Sequence, residues 1–148
     1  MKNKLQEHLN KVYKHINIEG SDFNKKDFYI AGGIIRSMIL NEEVKDVDIF
    51  ITREVDVEIF LEHIKEENCF ERSFFISDNA VNFTIRGIKY QIVTTVQNSP
   101  KKLIDEFDFT INMSYYENDS EPYIENKQHI LDKQLKFNLK CRNRLGTL

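Results

Sequence analysis

The sequence of 148 residues predicts a single α/β (α+β) domain, and three patterns support this fold class. Apolar side chains recur three and four positions apart over residues 3–16, which indicates an amphipathic helix. An apolar run at 28–31 stops at two glycines and precedes a segment of helical character at 34–40. Apolar and polar residues alternate over 81–92 on both sides of Gly87, as in a β-hairpin.

The same rules assign the other segments. Further strands are predicted over 44–52, 73–77 and 109–116, and further helices over 55–66, 101–106 and 128–137. Ser99-Pro100 provides an N-cap and a proline at the start of helix 101–106, and Asn118-Asp119-Ser120 predicts a turn. No repeat or low-complexity linker divides the chain, so we expect residues 1–148 to form one domain.

The composition is that of a domain held together by its own core. With 41% apolar residues, the chain is long enough to bury roughly 68 to 70% of its unfolded surface. Cys69 and Cys141 are far apart and have no metal-ligand spacing around them, which argues against a disulfide scaffold or a zinc site. No apolar run approaches the roughly 18 residues of a membrane span, and the first residues do not resemble a secretion signal. A cytoplasmic location is therefore expected.

The charge of the chain limits its contacts with nucleic acid. The net charge is −3, so binding of RNA or tRNA would need a local basic patch. One such stretch follows Leu131 and comprises Lys133, Lys136, Lys140, Arg142 and Arg144. It is either a solvated tail or a contact for RNA phosphates. The abundance of Asn, Lys and Ile suits an AT-rich genome, such as that of a phage or a mobile element.

Asp46 and Asp48 are the first candidates for a chemical role. They are two residues apart on the predicted strand 44–52, so both carboxylates project from one face. Carboxylates this close repel each other unless cations lie between them, and two Mg²⁺ ions would remove that cost. Such a pair can activate an attacking oxygen and stabilise a leaving phosphate. The alternative for an isolated Asp-x-Asp is an exposed strand face.

Gly32 and Gly33 are the second candidates. They end strand 28–31 and begin the helix that follows, where glycine lets the backbone approach a phosphate and a helix offers unpaired N–H groups. Two glycines before a helix can also be only a tight turn. Twelve residues separate Gly33 from Asp46, and a phosphate-binding turn beside a carboxylate pair indicates a nucleotide site.

The joint pattern resembles the signature of the DNA polymerase β nucleotidyltransferase superfamily. Residues 31–37 (Ala-Gly-Gly-Ile-Ile-Arg-Ser) and 45–50 (Lys-Asp-Val-Asp-Ile-Phe) are similar to the head domain of bacterial poly(A) polymerases and tRNA CCA-adding enzymes. Residues 107–112 resemble that family's Arg-Arg-Asp-Phe-Thr-x-Asn segment, and 130–138 resemble the end of the head. The resemblance covers about residues 28–115. We therefore expect a nucleotidyltransferase domain whose mixed, mainly antiparallel sheet carries the two aspartates, with helices covering one face.

The resemblance also implies which residues do the chemistry. The catalytic residues would be Asp46, Asp48 and Asp108, which would act on the reacting phosphate. Asp46 and Asp48 would hold two Mg²⁺ ions. The nucleotide-binding residues would be Gly32, Gly33, Arg36, Thr110 and Asn112. The two glycines would contact the triphosphate, Arg36 would have a structural or phosphate-facing role, and Thr110 and Asn112 would border the nucleotide and its sugar.

Four departures from the family pattern are visible. Ser37 stands where the family has Asp, and Glu106-Phe107 stands where it has two arginines. The third carboxylate of the superfamily corresponds best to Gln91, which carries no charge. Relatives continue into helical domains that select the base and hold tRNA, whereas this sequence ends at Leu148, so ordered addition of C, C and A is not expected.

The predicted activity is Mg²⁺-dependent transfer of a nucleoside monophosphate from an NTP, ATP or CTP, to an acceptor hydroxyl, with release of pyrophosphate. The resemblance favours RNA or a tRNA 3′ end as the acceptor. Three alternatives stay open: a weak or inactive nucleotide- or partner-binding module on the same fold, a modifier of a protein or small molecule, and a subunit of a larger polymerase.

Overall fold

The structure is a computed structural model that describes residues 1–16, 24–54, 75–76 and 79–139. The predicted helix 55–66 lies outside the described residues, as do Cys69 and Cys141. Of the basic stretch, Lys133 and Lys136 are described and exposed.

Within these ranges the chain forms four α-helices and seven β-strands. The helices are α1 (Lys2–Ile16), α2 (Gly33–Ile39), α3 (Pro100–Asp105) and α4 (Lys127–Leu131). The strands are β1 (Phe28–Ala31), β2 (Asp46–Ile51), β3 (Phe75–Ile76), β4 (Ala80–Ile85), β5 (Ile88–Val96), β6 (Ser114–Glu117) and β7 (Tyr123–Ile124). In this part of the chain, no helix has the length and apolar character needed to cross a membrane.

All seven strands belong to one sheet, in the order β3-β4-β5-β2-β1-β6-β7. β2 and β5 are parallel, and the other neighbouring pairs are antiparallel. The prediction of a mixed, mainly antiparallel sheet is therefore confirmed. β2, which carries the two aspartates, is the central strand.

Residue alternation along β2 divides the sheet into two faces. Val47, Ile49 and Ile51 are buried in the main core, on the side covered by α1 and α2. The stripe of α1 packs there through Leu5 and Leu9, and burying a side chain of this size contributes about 1.5 to 3 kcal/mol. The other face of β2 is left for Asp46, Asp48 and Phe50.

A smaller core covers part of this second face. Tyr29 of β1 and Phe50 of β2 stack there with ring centroids 5.7 Å apart. Ile104 of α3 is fully buried against them. The expectation that helices cover one face is therefore wrong, because the two aromatic rings create apolar surface that α3 buries.

The hairpin prediction is confirmed. β4 and β5 are antiparallel neighbours, and Ile85 lies opposite Ile88. Arg86 and Gly87 form the turn with φ of 50° and 80°. Two positive φ values match the right-handed twist of a two-residue hairpin.

The segment predicted as one strand over 109–116 is instead divided. Thr110–Asn112 form a 3₁₀ turn, and the strand begins only at Ser114. Asn112 and Met113 donate their backbone N–H groups to the carbonyls of Phe109 and Thr110, which closes the turn. The turn places Asn112 against α2.

The helix predicted over 128–137 is also shorter than expected. Helix α4 ends at Leu131, and Lys133 has a φ of 53°, which a continuing helix does not allow. Phe137 then forms an isolated β-bridge with Phe109. Residues 134–138, named the C-terminal strap below, therefore lie against the segment that precedes β6.

Candidate active site

The two aspartates lie on the polar face of the central strand. The side chain of Asp46 is exposed and that of Asp48 is half-buried. Burial raises the pKa of Asp48 above its ordinary value, and the nearby charge of Asp46 raises it further. The pair is therefore held at an electrostatic cost that a bound cation would remove.

Strand β5 places an uncharged side chain beside the pair. The parallel register sets Gln91 next to Asp48 and Lys89 next to Asp46, on the same face. Tyr90 and Ile92, on either side of Gln91, are buried in the main core. The register thus places Gln91, the residue that the resemblance matches to the third carboxylate, directly beside Asp48.

Gly32 brings the backbone close to Asp48. Its φ is 98°, a conformation that other residues rarely adopt, and its N–H donates to the carbonyl of Ser114 over 3.0 Å. A Cβ atom at this position would be 3.7 Å from Oδ2 of Asp48 and 3.9 Å from Cε2 of Phe107. The glycine turn and the carboxylate therefore form one continuous surface.

Gly33, Arg36 and Asn112 form the second part of the site. Nη1 of Arg36 donates to Oδ1 of Asn112 over 2.9 Å. A Cβ atom on Gly33 would be 3.2 Å from Nη2 of Arg36 and 3.6 Å from Oδ1 of Asn112. The guanidinium is thus fixed beside the glycine at the start of α2, as a phosphate-facing group would need to be.

An open cleft of about 440 Å³ joins the two parts. Gly33 and Ser37 of α2 line it on one side. Its charged lining comprises Glu42, Glu43, Asp46, Asp48, Arg36 and Lys45. Because carboxylates outnumber cations by four to two, a polyphosphate would bind here only together with neutralising cations.

The donor set fits Mg²⁺ that arrives with a phosphate ligand. Mg²⁺ commonly takes one or two carboxylates from the protein and completes its octahedron with waters and substrate phosphates. Asp46 and Asp48 supply those two carboxylates. Within the described residues, no group of three His, Cys, Asp or Glu side chains is arranged to hold a metal ion.

Asp108 does not complete a three-carboxylate group with the pair. Its side chain is exposed, and its carbonyl accepts a hydrogen bond of 2.7 Å from the N–H of Asn138 in the C-terminal strap. The hydroxyl of Thr110 lies 2.9 Å from Nδ1 of His129. Neither residue lines the cleft, so a role for them beside the nucleotide stays a prediction.

Sequence reasoning missed the acidic rim of the cleft. Glu42 and Glu43 belong to the loop between α2 and β2, and the N–H of Glu42 donates to the carbonyl of Ser37 over 2.8 Å. This bond closes a turn after α2, and both glutamates line the cleft. A loop position carries no periodic signal, so nothing in the sequence indicates where these two side chains lie.

Solved structures share the fold of this chain. The chain is similar to the CCA-adding enzyme of Bacillus stearothermophilus in complex with CTP, with a TM-score of 0.64 and 19% identity over 99% of this chain and 36% of that one. It is also similar to the CCA-adding enzyme of Thermotoga maritima complexed with tRNA, with a TM-score of 0.58 and 21% identity over 90% of this chain and 32% of that one. The fold is that of DNA polymerase β-like nucleotidyltransferases.

Sequence similarity identifies a more specific family than the fold alone does. A family model described as "Gabija anti-defense 2 family protein" matches residues 1–136, and the chain belongs to this family. A curated relative, "Gabija anti-defense 2" of Bacillus phage SPbetaL7, is 28% identical over 134 residues. That alignment covers 87% of this chain and 33% of the relative, so the chain spans about a third of the relative's length. The phage source of the relative agrees with the expectation drawn from composition.

The raised pKa of Asp48 gives a prediction for stability. The folded state holds the proton on Asp48 more tightly than the unfolded state does, so this group lowers stability as the pH rises through its raised pKa. We expect Asp48→Asn to raise the Tm at pH 7 in EDTA by roughly 2 to 4 °C, the shift that about 1 kcal/mol produces in a domain of this size. The gain should shrink as the pH falls toward 4. Thermal unfolding across this pH range measures it.

Glu54→Gln is the matched control for this prediction, because Glu54 is an exposed carboxylate that does not line the cleft. Its substitution should leave the Tm unchanged within about 1 °C. A Tm for Asp48→Asn below that of the wild type at pH 7 would contradict the cost assigned to the aspartate pair.

Proposed function

We propose that the chain is a Mg²⁺-dependent nucleotidyltransferase that moves a nucleoside monophosphate from ATP or CTP to an acceptor hydroxyl. We further propose that this activity serves the Gabija anti-defense role that the family description gives. One observation carries the proposal: Asp46 and Asp48 share an open cleft with Gly33 and Arg36, on a nucleotidyltransferase fold.

Each residue has a definite task in this reaction. The acceptor oxygen bonds to the α-phosphorus, the bond to the pyrophosphate oxygen breaks, and the hydroxyl proton passes to solvent. Mg²⁺ bound by Asp46 and Asp48 would neutralise the charge that develops on the phosphate. The backbone at Gly32 and Gly33 lets the triphosphate approach, and Arg36, oriented by Asn112, offers a fixed positive charge.

The relatives support the choice of ligands. One of the similar structures is described as a complex with CTP and another as a complex with tRNA, so an NTP donor and an RNA or tRNA acceptor are the first choices to test. Because the chain spans about a third of the length of these proteins, the acceptor of the whole enzymes does not transfer directly.

Gln91 favours a second candidate function, which is binding of a nucleotide or partner without turnover. An amide beside Asp48 adds no negative charge, so the site binds a divalent cation less tightly than three carboxylates would. Gln91→Asp discriminates the two functions. A site that already turns over should tolerate or gain from the added carboxylate, whereas a binding module should gain affinity for Mn²⁺ and still incorporate nothing.

The direct experiment incubates the protein with Mg²⁺ and each labelled NTP, in turn with total cellular RNA and with total cellular protein. Incorporation of ATP or CTP into RNA supports the first-choice acceptor. Incorporation of the label into protein would indicate that the acceptor is a side-chain hydroxyl. A third reaction contains the small-molecule fraction of the cell extract as acceptor, and absence of incorporation with all three acceptors would favour the binding function.

The aspartates should be essential for turnover. We expect Asp46→Asn and Asp48→Asn each to lower incorporation by at least about 100-fold, because each removes a carboxylate that the cation needs. The same variants should fail to protect a phage in cells that carry Gabija. Incorporation and phage titre are the two measurements, and the Tm of each variant shows that it is folded.

Glu54→Gln again serves as the control and should keep both activities. Full incorporation by either aspartate variant would remove the active-site assignment. Protection of the phage without incorporation would separate the anti-defense role from the chemistry.

Gly33→Val should abolish nucleotide binding while the protein stays folded. The added side chain meets Nη2 of Arg36, which displaces the guanidinium from Asn112, and it also blocks the approach of phosphate. The increase in Tm caused by Mg-ATP should disappear. Gly87→Ala is the control, because Gly87 does not line the cleft and nothing lies within 4 Å of its Cβ position, although its φ of 80° makes the substitution strained. That variant should lose about 1 to 2 kcal/mol of stability and keep the full ligand-induced shift.

The basic end of the chain should set the salt dependence of RNA binding. Deleting residues 139–148 removes Lys140, Arg142 and Arg144. If these residues contact phosphates, the slope of log affinity against log salt should shrink by about 2 to 3 units, while Mg-ATP binding is unchanged. An unchanged slope would show that these three residues do not contact RNA phosphates. Failure of the whole chain to bind RNA would favour a protein or small-molecule acceptor.

A further inference from the structure

The C-terminal strap reverses the usual distribution of polar and apolar side chains. Leu135 and Phe137 of the strap are exposed by 69% and 53% of their surface, and Leu139, which follows it, by 82%, whereas Asn138 is exposed by only 6%. A buried amide costs free energy unless its hydrogen bonds are made. Asn138 is therefore buried for its hydrogen bonds and not for its apolar surface.

Three hydrogen bonds of Asn138 reach one segment, residues 105–108. The side-chain amide of Asn138 donates to the carbonyl of Asp105 over 2.6 Å and to the carbonyl of Phe107 over 2.9 Å. Its backbone N–H donates to the carbonyl of Asp108 over 2.7 Å. One residue thus fixes three carbonyls in the turn that leaves α3.

The chain around Asn138 holds the next residues in the same way. The carbonyl of Lys136 accepts the N–H of Thr110 over 3.0 Å, and the ring of Phe137 stacks on that of Phe109 with centroids 5.1 Å apart. Asn126, just before α4, donates its amide to the carbonyl of Thr110 over 3.2 Å. Contacts with the strap therefore occur at least at every second residue of the segment 105–110.

This segment leads directly into the site. Phe107 lies 3.9 Å from the Cβ position of Gly32, and Asn112, two residues after Thr110, holds the guanidinium of Arg36. Both contacts would shift if the segment moved. Asp46 and Asp48 lie on β2, whose backbone is held by β1 and β5 on its two sides. The segment contacts β2 through Phe107, whose ring centroid is 6.5 Å from that of Phe50, so we expect the aspartates to shift less than Arg36.

We propose that Asn138 is a positioning residue for the nucleotide site. Its amide fixes residues 105–112 so that Phe107 and Asn112 meet Gly32 and Arg36 in the arrangement that accepts a triphosphate. The inference rests on the proposed function, since it assumes that the cleft binds an NTP.

Asn138→Asp and Asn138→Ala in the full chain test this proposal. Aspartate has the shape of asparagine but turns a carboxylate oxygen toward the two carbonyls, whereas alanine removes the side chain. If hydrogen-bond donation is what matters, Asn138→Asp should weaken Mg-ATP binding by roughly ten-fold or more and at least as strongly as Asn138→Ala. If Asn138 only fills space, the aspartate variant should bind normally and the alanine variant should be the weaker one.

Two further measurements separate positioning from general loss of folding. Binding of Mn²⁺ alone should change much less than Mg-ATP binding in both variants, because β1 and β5 hold the strand that carries Asp46 and Asp48. Hydrogen exchange of the amides of Thr110 and Asn112 should accelerate at least ten-fold, while the amides of β1 and β2 keep their protection. Gln134→Ala, an exposed residue of the same strap, is the matched control and should behave like the wild type.

The outcomes distinguish this proposal from the proposed function. Unchanged exchange at Thr110 and Asn112, or normal Mg-ATP binding by Asn138→Asp, overturns the role of Asn138 and leaves the nucleotidyltransferase intact. A wild type that binds neither Mg-ATP nor Mg-CTP overturns both. Loss of Mn²⁺ binding, or loss of protection throughout the sheet, would show that Asn138 acts on the whole fold and not on the site.

Discussion

The repulsion between Asp46 and Asp48 is the constraint on which the site depends. A strand places alternate residues on one face, so the central strand cannot bury Val47 and Ile49 without also presenting both carboxylates together. Burial of Asp48 makes its negative charge more costly and raises its pKa. The large apolar core on the opposite face offsets this cost. In the proposed function, a cation bound together with a phosphate ligand would relieve it.

The contacts around the pair follow from this constraint. Gly32 takes a φ of 98° and carries no side chain, which lets the backbone pass close to Asp48. Arg36 supplies positive charge on the same side of the cleft, and Asn112 keeps its guanidinium in place. Among the described residues that line the cleft, Arg36 and Lys45 are the two cationic side chains. In the proposed function, Arg36 would therefore be a main contact for a polyphosphate.

The sequence was sufficient to predict the parts of the fold that rest on periodicity. The alternation in β2, the spacing in α1 and the turn at Gly87 are each local, and each was predicted correctly. The 3₁₀ turn at Thr110–Asn112 and the end of α4 at Leu131 were not. Local hydrogen bonds close the turn, but its first residue is also held from a distance, because the N–H of Thr110 donates to the carbonyl of Lys136. A run of apolar and polar residues cannot reveal such bonds.

The same distinction separates the predictable and unpredictable parts of the site. Asp46, Asp48 and the two glycines could be found because strand alternation and a glycine turn limit what their residue types can do. Asn138 could not be found, since an asparagine between exposed apolar residues looks like any polar residue of a tail. Its burial becomes meaningful only when three carbonyls from another part of the chain surround it. The charged residues of the site can thus be predicted from local sequence patterns. The positions of the groups around them depend on contacts between segments some thirty or more residues apart.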